Sequence, residues 1–232
     1  MNKNYLSLDF SSGNFSSYSG QEKEGYEKHT SSKGNVSYRQ WYKDGVIGKL
    51  DSVSIYDGKF GQQISMNIQN GNEVYYVPVE IADQRGNVAT YAESLIKLLP
   101  ALNKKDSIEV RGYNFVPENE SYAKIGISIK INGVKVKGTL TNAYYKAGKL
   151  VEGDIPAIEW KENALGKKKP SAVSLEAKDE YLLGVLKEQT ERLKWVSSNS
   201  ASSKPASTPT PKQDYKPAAD LKDEDHDDLP FW

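Results

Sequence analysis

The chain has 232 residues, 37% hydrophobic and 27% charged, which allows one domain of ordinary size with appendages. It has no cysteine, which excludes disulfides and thiolate metal sites. No apolar run approaches the ~20 residues needed to cross a bilayer, and the start, Met1-Asn2-Lys3-Asn4, lacks the apolar segment of a secretion signal. A soluble chain that stays in the compartment of its synthesis is expected.

A net charge of zero hides sorting along the chain. Residues 1–196 carry 27 basic against 24 acidic side chains, while residues 197–232 carry 4 against 7. A mildly basic body with an acidic end marks the end as an interaction device.

In chain order, residues 1–34 are rich in Ser, Gly and Lys with scattered rings, and read as a flexible N-terminal arm. Residues 46–56 form the first expected strand, and Asp57-Gly58-Lys59 turns the chain. Residues 62–69 alternate, with Ile64, Met66 and Ile68 on one face. Asn70-Gly71-Asn72 is a second turn, and residues 73–81 form a third strand with Val77, Val79 and Ile81 inward. Residues 88–99 have helical periodicity through Tyr91, Leu95, Leu98 and Leu99, stopped by Pro100. Strands over 107–116 and 121–131 follow, the latter with an inward row from Ala123 through Ile125, Ile127, Ile129 and Ile131. Asn132-Gly133 then turns into a further strand-like piece, 134–140.

The order β-β-β-α-β-β predicts a mainly β fold, an OB-fold five-stranded Greek-key barrel over 35–141 that binds oligonucleotides or oligosaccharides on one face. Residues 142–196 form an extension: 143–160 reads as irregular, Gly166-Lys167-Lys168-Lys169-Pro170 as a basic loop, and 175–196 as an amphipathic helix. Its stripe is Leu182, Val185, Leu186, Gln189, Leu193 and Val196. Residues 197–219, nearly all Ser, Pro, Thr, Ala and Lys, predict a disordered linker. Residues 220–232 are an acidic tail.

Alternation separates the outward side chains from the core. It places Tyr56, Tyr76, Arg111, Tyr113, Phe115, Tyr122, Lys124 and Lys130 outside, with Phe60 at the first hairpin. The approach to the barrel, Arg39, Trp41, Tyr42 and Lys43, interleaves rings with cations. Bases stack on aromatic planes whatever their identity, while cations neutralise phosphates, so these residues are the expected single-strand contacts. A duplex reader would instead aim polar side chains at base edges from a helix or ribbon.

An enzyme is not expected. The two histidines, His29 and His226, lie in the arm and tail, and the basic loop lacks the spacing of a phosphate loop. Neither a metal site nor a cofactor motif is legible. A structural or carbohydrate-binding OB module explains the barrel and rings but not the charge polarity, and an RNA-binding module is not separated by stacking alone.

The last residues join acidity to an apolar plug: Asp225, Asp227, Asp228, Leu229, Pro230, Phe231 and Trp232. A merely solvating tail has no use for such a tip, whereas a partner's pocket with a basic rim does. Asp227-Asp228-Leu229-Pro230-Phe231 is similar to the acidic tip of bacterial single-stranded DNA-binding proteins, and the layout of barrel, linker and tail resembles bacteriophage replication proteins. Trp232 extends past the Phe that ends the bacterial tip, and the arm and C-terminal helix are not part of the bacterial protein. The resemblance implies coating of single strands in replication, recombination and repair in a bacterial cytoplasm. It also implies a tail that recruits polymerase, helicase or nuclease partners, and it leaves a homo-oligomer open. Removing residues 220–232 is expected to tighten single-stranded DNA binding at low salt, because an acidic tail competes with phosphates. A titration showing unchanged or weaker affinity excludes that competition.

Overall fold

The computed structural model describes residues 2–31, 33–58, 61–162 and 166–194. Three long strands, β5 (Val46–Gly58), β6 (Gly61–Asn70) and β7 (Glu73–Glu80), form an antiparallel meander. They form where apolar and polar residues alternate, so that Ile64, Met66 and Ile68 of β6 are fully buried between inward residues of its neighbours. One residue breaks the period. A bulge between Leu50 and Ser52 lets both Leu50 and Val53 face the core, which an unbroken strand would forbid.

The helix α1 (Thr90–Ile96) and a 3-10 turn (Leu99–Ala101) follow, then β8 (Ser107–Phe115) and β9 (Lys124–Ile131). The helix is shorter than its periodicity, since Pro100 sits inside the separate 3-10 turn. β9 starts after the expected position, leaving Ala123 and Tyr122 exposed in the connecting loop. β8 pairs with β5 on one side and β9 on the other, which gives the run β9-β8-β5-β6-β7. On α1, Ser94 supplies what a strand would: its Oγ donates to the Ile127 carbonyl and accepts from the Ile127 N–H, each at 3.0 Å. The helix thus satisfies part of the outer edge of β9.

The first 34 residues are not a loosely held arm. They contain β1 (Asn2–Leu8), β2 (Phe15–Ser19) and β3 (Glu27–Thr30), and β4 (Val36–Tyr42) follows. β1 runs parallel to β7 and covers its open edge, and β2, β4 and β3 extend the sheet to ten strands. The physical cause is twofold. An uncovered edge leaves backbone donors and acceptors unpaired, and Leu6 and Phe15 join the core at 4% and 0% exposure. The sheet curls far enough that the β1–β2 turn lies on β8. A Cβ on Gly112 would stand 2.3 Å from the Gly13 carbonyl oxygen and 3.0 Å from Leu8 Cδ1.

Beyond β9 the expected strand over 134–140 shrinks to β10 (Val134–Lys135). The stretch read as irregular holds a hairpin, β11 (Tyr144–Lys146) with β12 (Lys149–Val151). The basic loop is in part a strand, β14 (Lys168–Pro170), paired with β13 (Trp160–Glu162). These pieces are two or three residues long and mostly exposed, so no buried face left a period in the sequence.

The second helix, α2 (Ala172–Leu193), buries Leu182, Leu186, Gln189 and Leu193 on one stripe and packs against β5. Charge pins it to α1: Glu93 takes Lys97 at 2.5 Å and Lys178 of α2 at 2.6 Å. Burial pushes the Glu93 carboxyl up, but hydrogen bonds from Lys178 and Lys97 outweigh it and hold it below its usual value. Residues 1–196 make one compact unit, and among the described residues no helix is long and apolar enough to cross a membrane. The expected linker 197–219 and tail 220–232 lie outside the described residues.

Gly112→Ala is expected to lift the N-terminal hairpin off β8 and cost ~1–3 kcal/mol, read as a lower denaturant midpoint. Because the Glu93 carboxyl is depressed in the folded chain, its contribution is complete above the ordinary value of 4.5 and is lost as pH falls through the folded value. Glu93→Gln should therefore lower the melting temperature at neutral pH and flatten the acid side of the stability profile.

Candidate nucleic-acid interface

The outward face of the meander and of the N-terminal strands is one continuous surface. Register aligns Ser52, Asn67, Tyr76 and Tyr5 in a single cross-strand row over β5, β6, β7 and β1. Asn67 Nδ2 donates to Ser52 Oγ at 2.9 Å, so the polar half of the row is internally tied. At its other half the Tyr5 and Tyr76 rings stack, with centroids 4.7 Å apart and planes within 12°. Tyr5 remains 65% exposed, so a ring plane faces solvent.

The pairing of Leu6 with Ser17 carries this row on to Tyr18 of β2, and Tyr18 pairs with Arg39 of β4. The Arg39 guanidinium lies 3.4 Å from the Trp41 ring centroid and 5.1 Å from that of Tyr18. It donates to Ser16 Oγ at 3.2 Å and meets Asp9 at 3.7 Å, while its Nε is buried without a hydrogen-bond partner. Burial works to raise the Asp9 carboxyl, but hydrogen bonds from Ser11 and Ser12 win and keep it below the usual carboxylate range. Arg39 is therefore fixed between two rings by the Ser16 hydroxyl and the Asp9 carboxylate.

Next to this row a cavity of about 380 Å³ opens between the β5–β6 hairpin and the β1–β2 turn. Tyr56, Pro78 and Phe10 line it with Gln63 and Glu80. The Tyr56 hydroxyl donates to Gln63 Oε1. Phe10 is fixed by its own carbonyl, which accepts from Asn114 Nδ2 of β8 at 2.8 Å, and by ring contact with Tyr91.

A second row runs along β8 and β9. Arg111, Tyr113 and Phe115 point outward, opposite Ser128, Gly126 and Lys124. Tyr113 lies across Gly126, where an added Cβ would stand 2.5 Å from the hydroxyl oxygen. Phe115 and the loop residue Tyr122 are well exposed. The cations of this row already hold carboxylates: Arg111 meets Asp44 at 3.4 Å and Glu109 at 3.8 Å, Lys130 meets Glu109 at 2.8 Å, and Lys124 meets Glu120 at 2.6 Å. A phosphate arriving there must displace them.

The residues expected as contacts thus divide. Arg39, Trp41, Tyr56 and Tyr76 share the first surface; Arg111, Tyr113, Phe115, Tyr122, Lys124 and Lys130 belong to the β8–β9 side. Lys43 is exposed in the turn after β4. Tyr42 is a correction. It points inward with Phe15, meets Tyr75 edge-on at 5.8 Å and donates to Gln40 Oε1 at 3.1 Å, so it packs rather than presents a plane. Burial raises its hydroxyl above the ordinary value. Phe60 and the tail residues Asp225, Asp227, Asp228, Leu229, Pro230, Phe231 and Trp232 lie outside the described residues.

Tyr5, Tyr18 and Phe10 were missed by the sequence reading. The only signal was the alternation of Tyr5 with the inward Leu6 and Leu8, too short to stand out in a polar stretch. Among the described residues no group of three or more His, Asp or Glu side chains converges to hold a metal ion. No family model, curated protein or solved structure matches the chain.

Proposed function

We propose that the protein binds single-stranded DNA without regard to sequence, coating and protecting it during replication, recombination and repair. The observation that carries this reading is the row Tyr76, Tyr5, Tyr18, Arg39 and Trp41 across the outward sheet face. Flat rings at the spacing of cross-strand neighbours accept successive unstacked bases, and the Arg39 guanidinium held between rings meets the backbone once a phosphate replaces Asp9. The surface offers stacking planes and not a projecting helix, which favours flexible single strands over the stiff duplex.

The same reading takes the β-β-β-α-β-β portion as an OB-fold barrel. Its support is the run β9-β8-β5-β6-β7 with α1 between β7 and β8 in chain order. In this proposal the chain is not an enzyme, uses no cofactor and acts in a bacterial cytoplasm as a phage-encoded protein. The tail 220–232 then recruits replication partners through its acidic, ring-ended tip. A strand bound on the sheet and a peptide offered to the machinery are separate tasks for separate parts of the chain.

A mobility shift across a salt series, with oligo-dT, duplex DNA and RNA of equal length, tests the reading. The expected outcome is tight dT binding that falls steeply with salt, weak duplex binding, and a loss of ~1–3 kcal/mol for each of Tyr5→Ala and Tyr18→Ala. Equal binding of RNA broadens the substrate to single strands in general. Absence of dT binding at low salt ends the proposal.

A further inference from the structure

The two small hairpins near α2 carry features with no role in the sheet face described above. In β11–β12, Lys146 stands directly opposite Lys149, and in β13–β14, Lys161 stands directly opposite Lys169. All four are exposed. Like charges facing each other across a ladder destabilise it. The first hairpin bears a second cost, since Ala147 sits at φ +48° in its turn, a left-handed conformation that residues with a Cβ avoid. In the second hairpin the adjacent pair Glu162–Lys168 is attractive and offsets part of this cost, so the uncompensated repulsion falls on Lys146 and Lys149, and a bound anion would relieve it.

Rings stand beside these lysines. Tyr144 is 52% exposed, Tyr145 47% and Trp160 62%, and the three line one pocket of about 270 Å³ together with Pro156, Ile158 and Lys178. Alternation puts Tyr144 on the same hairpin face as Lys146 and Lys149. Glu93 is on the wall of this pocket and also of a larger groove, about 660 Å³, between α1 and β9. Tyr113, Lys135 and Lys137 also line that groove. The groove beside the outward row of β8 and the ring-lined pocket thus meet at Glu93, whose carboxylate is already neutralised by Lys97 and Lys178.

We propose that the two hairpins form a second contact site for single-stranded DNA, with Tyr144, Tyr145 and Trp160 stacking bases and the opposed lysine pairs holding phosphates. This rests on the single-strand binding proposed above and extends it past α1. A polyanion relieves the lysine repulsion on binding, so the hairpins are stabilised by the ligand they hold.

The test uses the full chain, an oligo-dT of about 40 nucleotides and a salt series. Lys149→Glu replaces a repulsive cross-strand pair by an attractive one, so its melting temperature should stay level or rise. Its dT affinity at low salt should fall about tenfold and its salt slope by about one. Trp160→Ala should weaken binding similarly, with Trp160→Phe restoring it. Parental affinity and slope in both Lys149→Glu and Trp160→Ala overturn the inference while leaving the sheet face intact. A parent chain that binds no dT instead overturns the proposed function itself. Should Trp160→Ala melt early, photo-crosslinking of iodouridine-substituted dT to the parent decides. Crosslinks at Tyr144, Tyr145 or Trp160 support the site, and crosslinks confined to other residues overturn it.

Discussion

The structure depends on how the open edge of β7 is satisfied. A curled sheet running β9-β8-β5-β6-β7 leaves an edge at each end, and each edge carries backbone groups that must find partners. Here β1 takes the β7 edge in parallel, while Ser94 of α1 and the short β10 take up part of the β9 edge. The close approach of Gly13 to Gly112 then locks the N-terminal turn onto β8. No other residue type fits at that crossing, because any Cβ there would overlap a carbonyl oxygen. The glycine pair thus ties the Ser- and Lys-rich N-terminal hairpin to β8.

That same edge pairing builds the candidate interface. Tyr5 stacks on Tyr76 only because β1 lies in register beside β7, and Tyr18 and Arg39 join the row only because β2 and β4 follow. Arg39 illustrates how the face is kept rigid: two rings, Ser16 and Asp9 surround one guanidinium. Rings fixed in advance lose little freedom when a base arrives, which favours affinity without requiring base-specific hydrogen bonds.

Charge is distributed differently over the large sheet and the two small hairpins outside it. On β8 and β9 the cations are engaged with Glu109, Glu120 and Asp44, so their attraction for phosphate is partly spent on the fold. On the small hairpins the lysines oppose one another. The first arrangement stabilises the free protein, and the second stabilises a complex with an anion. Such a division separates a structural charge from a binding charge on a chain with equal totals of each sign.

Much of this was legible in the residues alone. The alternation of Ile64, Met66 and Ile68, the period of α2 and the outward setting of Arg111, Tyr113 and Phe115 are local properties, written at spacings of two or 3.6 residues. They survive in the structure because a buried face enforces them. What the sequence could not determine are the long-range choices: that a Ser- and Lys-rich start becomes sheet, that Tyr42 turns inward while Trp41 turns outward, and that Tyr144, Tyr145 and Trp160 share a pocket. Those depend on which edge is open and which strands meet. Both are decided by backbone hydrogen bonding between distant segments, and that bonding is nearly blind to side-chain identity.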